Sequence, residues 1–251
     1  MPSVKKPVKP IIVYMFPPDD RLKNVTVSPF CMKIILLFKF AEIEFTTVES
    51  FSKKSRKGKM PWIDDNKTYY EDSHHIVARM CDIYGIDLDS HLSAKENAIG
   101  HAIVRTISEN LYWTILYSGF LDSAGWKNQT SKGGAFSGIK QTLGPLLKAQ
   151  VKGNLKKHGI GRHDQGELYS VSKKDIQALS EFLGKKKYFM GDQFSFVDIT
   201  AFSFLEFFIF SNVKCVPNEF AQSFANISDY VHRIRDEFFP KEWPNFKTTA
   251  T

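Results

Sequence analysis

Four residues at the head of one apolar segment, Ser28-Pro29-Phe30-Cys31, have the types and spacing of chemistry. Two reactive side chains sit three positions apart, as two thiols do in a redox pair, but the first sulfur is replaced by a hydroxyl oxygen. The sequence that follows, CMKIILLFKFA, predicts a buried helix with Ser28 as N-cap and Pro29 at the first helical position. A helix start gathers unpaired N–H groups and partial positive charge, so it stabilises an anion placed before it. A serine hydroxyl is too weak an acid to be that anion. It can donate a hydrogen bond to a thiolate brought by a ligand. Ser28 is therefore a candidate catalytic donor as well as a cap. Cys31, one turn further in, has two readings: a small core residue, or the nucleophile of a thiol-exchange site.

Two further strings offer binding groups. In GKMPWIDD (58–65) a proline opens a predicted strand, and a cis Met60–Pro61 bond would turn the Met60 main chain outward to an extended ligand. In Tyr70-Glu71-Asp72-Ser73 an acid and a hydroxyl meet at a helix start. That is either a cap alone or a cradle for an amino-acid end group: carboxylate for ammonium, hydroxyl and helix N–H for carboxylate. His74 and His75 are adjacent and diverge by about 100° on a helix, so no shared metal ion is expected. His158 and His163 flank a glycine loop with Arg162, which reads as architecture ahead of an anion site. Cys31, Cys81 and Cys215 are scattered and odd in number. They suggest neither a disulfide framework nor a metal site, and they suit a reducing compartment such as the cytoplasm.

These residues need elements to hold them. PIIVYMF (10–16) predicts a short buried strand after a loose Pro- and Lys-rich segment over 1–10. After the Ser28 helix, with Ile34, Leu37 and Phe38 on one face, IEFTTVE (43–49) predicts a second strand. PWIDD and KTYYE flank Asn66 as a hairpin, and HHIVARMCDIYG predicts a helix closed by Gly85. The order β-α-β then β-β-α makes residues 11–86 a compact mixed unit. From 87 to 251 the pattern is helical. Ser93 and Glu96 form a capping box ahead of Ile99, Ile103, Ile107, Leu111 and Ile115, the face of one long helix. KKDIQALSEFLG is amphipathic, Ser195 and Asp198 cap a Phe-rich helix, and a last helix is expected over about 218–239.

A chain of 251 residues with 43% hydrophobic residues and 22 Phe has ample core material. The net charge of +7 favours anionic small molecules, acidic partners or a peripheral membrane contact. No basic motif interleaved with aromatics points to nucleic acid. The most apolar stretch, FVDITAFSFLEFFIF (196–210), carries Asp198 and Glu206 and reads as a core helix, not a membrane span.

In that order, the S-P-F-C helix start, K-M-P-W-I, the D-S helix start and S-F-V-D resemble the glutathione transferase fold, a thioredoxin-like domain followed by a helical one. More narrowly, SPFCMKI, GKMPWI, ENLYWTILY, HGIGR and KKYFMGDQFSFVDITAF resemble the failed-axon-connections family, which includes cadmium-responsive proteins and is related to metaxins. The resemblance implies a glutathione site with no metal. Ser28 falls at the catalytic position. Met60, before Pro61, would pair its main chain with the cysteinyl part. Asp72 and Ser73 would hold the γ-glutamyl group, and Lys59 the glycyl carboxylate. Ser195 and Asp198 match a folding cap. Transferases with a catalytic tyrosine carry it late in the first strand, where this chain has Met15; strand alternation turns Tyr14 away.

The function so implied is a cytoplasmic stress-response transferase that holds glutathione as thiolate against a hydrophobic electrophile or a peroxide. Tyr112, Trp113 and Tyr117 are candidate walls for the second substrate, and a homodimer is expected by analogy. The alternative is a non-catalytic interaction protein on the same fold. It is motivated by the eleven-residue loop 17–27, which would cover the site, and by the clustered lysines.

Overall fold

The computed structural model describes residues 4–16, 25–50, 55–132, 134, 136–137, 143–210 and 215–240. The chain forms two compact units, one of residues 1–88 with 232–251 and one of residues 89–231.

The first unit is built on a four-stranded sheet in the order β2-β1-β3-β4. Its strands are β1 (Ile11–Met15), β2 (Phe45–Glu49), β3 (Trp62–Asp65) and β4 (Thr68–Glu71). β1 runs parallel to β2 and antiparallel to β3, and β3 is antiparallel to β4. Alternation along β1 buries Ile11, Val13 and Met15. Tyr14 lies on the opposite face and stacks on its cross-strand neighbour Trp62, with ring centroids 3.6 Å apart. The β3–β4 turn has positive φ at both central residues, Asn66 (50°) and Lys67 (70°), as a two-residue hairpin twisted with its strands requires.

Two helices join the sheet, α1 (Pro29–Phe40) and α2 (Ser73–Tyr84). The buried helix expected here is observed, and its burial reaches beyond the face of Ile34, Leu37 and Phe38: every residue from Cys31 to Phe38 is buried. A helix apolar all round is an interior helix, and CMKIILLF is apolar at nearly every position. Gly85 closes α2 in the left-handed conformation, φ 69°. The expectation of a loose segment over 1–10 is corrected at two residues. Lys5 N donates to Tyr84 O (2.9 Å), and Lys6 Nζ donates to Glu42 O (2.6 Å) and Ala41 O (3.3 Å). The residues from His232 group with this first unit, where Phe238 packs on Phe40 and Lys39 lies over Phe239.

The second unit is helical among its described residues. It contains α3 (Ala94–Arg105), α4 (Tyr112–Phe120), α5 (Ser123–Thr130), α6 (Leu143–His158), α7 (Gln165–Leu183), α8 (Phe196–Ile209), α9 (Val216–Gln222) and the start of α10 (Ala225–Phe238). The Ser93–Glu96 box caps α3. The long helix expected beyond it is interrupted by a π-helical turn, Thr106–Leu111. The buried positions are Gly100, Val104, Ile107, Leu111, Thr114 and Ser118, so the inward face departs from the fourfold spacing at both ends. An apolar repeat of four gains about 40° per turn on a 3.6-residue helix, and a wider turn takes up the drift. The single last helix becomes two, α9 and α10. No helix among the described residues is long and apolar enough to cross a membrane.

α8 holds two buried acids in opposite circumstances. Asp198 accepts from Phe189 N (2.8 Å), Ser195 N (3.0 Å), Ser195 Oγ (2.6 Å) and Tyr230 OH (3.1 Å). It ties the loop before α8 to the helix start and to α10. Glu206 is 2% exposed and neither of its oxygens has a hydrogen-bond partner among the described residues. Burial holds its carboxyl well above the ordinary 4.5.

Glu206 predicts a pH signature. Below its ordinary value of 4.5 it is protonated in folded and unfolded chains alike. As pH rises past that, the unfolded chain ionises while the folded one keeps its proton, so stability falls until the raised folded value is reached. Glu206→Gln removes this slope. Thermal melts are expected to show the variant more stable than the parent at about pH 8, the gap closing towards pH 4.5. A gap that does not change with pH would contradict the assignment.

Candidate functional site

Register alone gathers three of the sequence-predicted segments. β1 pairs with β3 so that Tyr14 faces Trp62, which places the C-terminal end of β1 beside the start of β3. β3 pairs with β4 so that Trp62 also faces Glu71, the last residue of β4. Phe16, Met60–Pro61 and Asp72–Ser73 therefore lie at one end of the sheet. Ser28 is brought there by Thr26, whose Oγ1 donates to Phe16 O at 2.8 Å and accepts from Ser28 N at 3.3 Å. Thr26 is fully buried and pinches the base of the loop that begins after Phe16. Whether that loop covers Ser28 falls on residues 17–24, outside the described residues.

Ser28 is the N-cap of α1, with extended backbone (φ −119°, ψ 118°), and Pro29 begins the helix. Its hydroxyl oxygen accepts from Cys31 N at 3.4 Å, a long cap bond that leaves the O–H as a donor. No acidic side chain in the first turn of α1 offsets the helix-end charge. Ser28 is 7% exposed, so its hydrogen bonds operate in a largely desolvated place. Cys31 is fully buried. Burial pushes its thiol up to about 11, against opposing hydrogen bonds from Ser28, Phe16 and Thr26. A thiol so placed is not an ionised nucleophile at neutral pH, which removes the thiol-exchange reading.

Pro61 is joined to Met60 by a cis bond, and both residues are buried directly ahead of β3. Lys59 is exposed, and its main-chain oxygen accepts from Ser55 N at 3.1 Å. Asp72 caps α2, its Oδ1 accepting from His74 N at 3.0 Å. Its backbone has φ 73° and ψ 121°, outside the left-handed basin that Asp tolerates well. Such a conformation stores about 1–3 kcal/mol and persists where surrounding structure imposes it. Ser73 follows, buried, as the first residue of α2. Two helix starts, α1 and α2, thus present their N–H groups at the same end of the sheet.

The candidates in the helical unit are divided. Tyr112 meets Phe204 of α8 edge-on, and burial pushes its hydroxyl up to about 12. Trp113 stacks on His158 with centroids 4.5 Å apart, and Tyr117 meets Tyr169 edge-on. Trp113 and Tyr117 pack on the cluster of Val151, Leu155, Ile160, Leu168 and Tyr169. All three candidates are half-buried. The glycine loop after His158 is architectural, as expected. A Cβ on Gly161 would come within 2.7 Å of the Leu155 and Lys156 main chain, and His163 pairs with Glu167 at 3.2 Å. No group of His, Cys, Asp and Glu among the described residues could hold a metal. Thr26 went unnoticed in the sequence. The only signal for it is a threonine two residues before a capping serine.

The sequence matches two family models, glutathione S-transferase N-terminal domain over residues 29–125 and glutathione S-transferase C-terminal domain over residues 172–234. It is 27% identical over 237 residues to the isoprene-epoxide–glutathione S-transferase of Rhodococcus sp. (strain AD45), covering 91% of this chain and 99% of that one. It is 24% identical over 257 residues to failed axon connections of Drosophila melanogaster, covering 94% of this chain and 60% of that protein's length. A glutathione transferase of Bombyx mori superposes with a TM-score of 0.58 at 18% identity, covering 94% of this chain and 91% of the other, a likeness of fold.

The thiols give a direct check on the geometry. With iodoacetamide near neutral pH, the half-buried Cys81 is expected to be alkylated well before Cys31, read by peptide mass spectrometry. Modification of Cys31 at the rate of a free thiol would mean that its burial is wrong.

Proposed function

The chain belongs to the glutathione S-transferase superfamily, and from that premise we propose that it is a glutathione-dependent transferase acting on a hydrophobic electrophile or a peroxide. The observation that carries this reading is the Ser28 hydroxyl at the start of α1, whose first turn carries no acid, at the same sheet end as Met60 and Asp72–Ser73. The tripeptide lies across that end. Its γ-glutamyl ammonium pairs with Asp72, while its α-carboxylate takes the Ser73 hydroxyl and the first N–H groups of α2. The Met60 main chain pairs with the cysteinyl part, and Lys59 with the glycyl carboxylate.

The thiol then sits before α1. Its proton leaves to water and the thiolate accepts a hydrogen bond from Ser28 Oγ–H. Lowering a thiol pKa by one or two units requires about 1.4–2.8 kcal/mol, which a helix end and one charge-assisted hydrogen bond supply. The sulfur lone pair attacks the electrophilic carbon, the C–S bond forms and the leaving group departs with the bonding pair. An epoxide is the electrophile class that the bacterial relative's name supports: its ring C–O bond breaks as C–S forms, and the ring oxygen keeps the bonding pair and takes a proton from water. The half-buried Tyr112, Trp113 and Tyr117 are the proposed apolar contacts. Within the superfamily we place the chain with the failed-axon-connections proteins, on the strings GKMPWI and HGIGR and the likeness to the fruit-fly protein. The three cysteines, none of them in a disulfide, accord with a cytoplasmic setting.

Two substitutions test this reading. Ser28→Ala is expected to raise the pKa of the bound glutathione thiol by about one unit or more. Ultraviolet thiolate absorbance reads that shift, and turnover of an epoxide at mildly acid pH should fall about tenfold. Failure to bind millimolar glutathione would leave the non-catalytic reading, and activity unchanged in the variant would remove Ser28 from the mechanism. Asp72→Asn keeps the shape and the capping oxygen of the side chain, and no more backbone strain than Asp bears, so its melting temperature should hold. Its glutathione affinity by calorimetry should fall about tenfold, the loss of one partly exposed ion pair. Unaltered affinity would remove Asp72 from the site.

A further inference from the structure

We propose that the outer face of α6 is a docking surface for an anionic lipid bilayer, on which the helix lies flat. Residues 123–163 carry seven lysines and one arginine and no Asp or Glu. That stretch exceeds the net charge of the whole chain, +7, and leaves the other residues at a net −1. α6 contributes four of the lysines. Its inner face is accounted for by packing: Gly144, Val151 and Leu155 are buried. Val151 and Leu155 belong to the cluster with Leu168 and Tyr169, and a Cβ on Gly144 would lie 3.0 Å from the Trp126 ring. Lys148 sits over that same ring, 4.6 Å from its centroid. The outer face is open. Leu143 is 50% exposed and Leu146 67%, and Lys152, Lys156 and Lys157 are exposed as well.

Helical spacing sets the leucines and the cations side by side. At about 100° per residue, Leu146, Ala149 and Gly153 lie opposite the buried Val151. Leu143 and Lys157 fall to one side of that stripe, Lys152 and Lys156 to the other. An apolar stripe flanked by lysines, on a helix without acids, suits a surface that is charged above and apolar below. The leucines enter the acyl boundary, and the long lysine stems reach back to the headgroup anions. Each lysine near such a surface multiplies the affinity about fivefold. The predominance of lysine argues against a protein as the occupant. Protein interfaces favour Arg over Lys, because a guanidinium grips a carboxylate at two points. Nucleic acid would leave the exposed leucines unused, since bases stack on aromatic rings. A small anion is held at one point, whereas Lys148 to Lys157 span about 14 Å of the helix axis. The contact is peripheral, α6 being 16 residues long with four lysines. α6 lies in the unit of residues 89–231 and Ser28, Met60 and Asp72 in the other, so this inference stands apart from the transferase reading.

The test is sedimentation of the full chain, without glutathione, with vesicles of phosphatidylcholine alone or with about 30% phosphatidylserine. Binding is expected on the anionic vesicles, weakened in about 0.5 M salt, and little on the neutral ones. Lys152→Ala/Lys156→Ala should weaken it about tenfold or more, and Leu143→Ser/Leu146→Ser about tenfold. Thermal melts establish that each variant is folded. Leu146→Trp gives a readout in a chain that still binds: lipids brominated in their acyl chains should quench its fluorescence beyond any quenching of the parent. Four results would overturn the proposal: no binding to anionic vesicles, equal binding to neutral ones, undiminished binding of a folded lysine or leucine variant, or no added quenching. Capture of polyglutamate but not of vesicles would overturn it in favour of an acidic protein. A change in the lipid-free oligomeric state of the leucine variant, read by light scattering, would overturn it in favour of a contact between copies.

Discussion

The pairing of β3 with two neighbours is the constraint on which the site rests. Tyr14 and Glu71 both face Trp62, so the end of β1, the start of β3 and the end of β4 must coincide. A slip of one residue would turn Val13 and Ile63 from the core towards the other face and part the three segments. The stacked rings of Tyr14 and Trp62 oppose such a slip, a pair of this kind contributing about 0.5–1.5 kcal/mol beyond its buried area. Thr26 completes the arrangement by holding the entry to α1 against the carbonyl of Phe16.

Placed there, the two helix starts differ in the charge they carry. α2 carries its own carboxylate, Asp72, in a strained backbone that fixes the cap. α1 carries a neutral hydroxyl and no acid, so its field is left for a ligand. The sulfur of Cys31 lies one turn deeper, where burial keeps it protonated. Oxygen at the mouth and sulfur below it fit a division of roles on the proposed reading: the Ser28 hydroxyl at the helix start would steady a foreign anion, and the interior thiol packs. The two acids of α8 show the same sorting by partner. Burial raises both, but Asp198 is met by four donors and organises a fold, whereas Glu206 is met by none among the described residues.

Much of this was legible in the sequence because local rules are strong at element starts. Ser28-Pro29, Ser93–Glu96 and Ser195–Asp198 are caps whose side chains report their own positions. Asn66 and Gly85 report theirs through positive φ. What the sequence hid was set by distant contacts. The apolar run of α1 announces a buried helix, but only the rest of the unit shows that the enclosure takes in Lys33 as well. The π turn at 106–111 and the break between α9 and α10 carry no proline or glycine to announce them. Lys5 and Lys6 look like part of a solvated tail until the carbonyl ends of α2 and α1 stand beside them. Thr26 is invisible for the same reason: its partner, Phe16, is ten residues away, across the loop.

The most direct measurement is a crystal structure of the protein grown with glutathione. The tripeptide sulfur should lie within hydrogen-bonding distance of Ser28 Oγ, its γ-glutamyl group at Asp72 and Ser73 and its cysteinyl main chain beside Met60. Glutathione bound elsewhere, or bound at this end with its sulfur turned away from Ser28, would contradict the assignment of that hydroxyl to the thiolate.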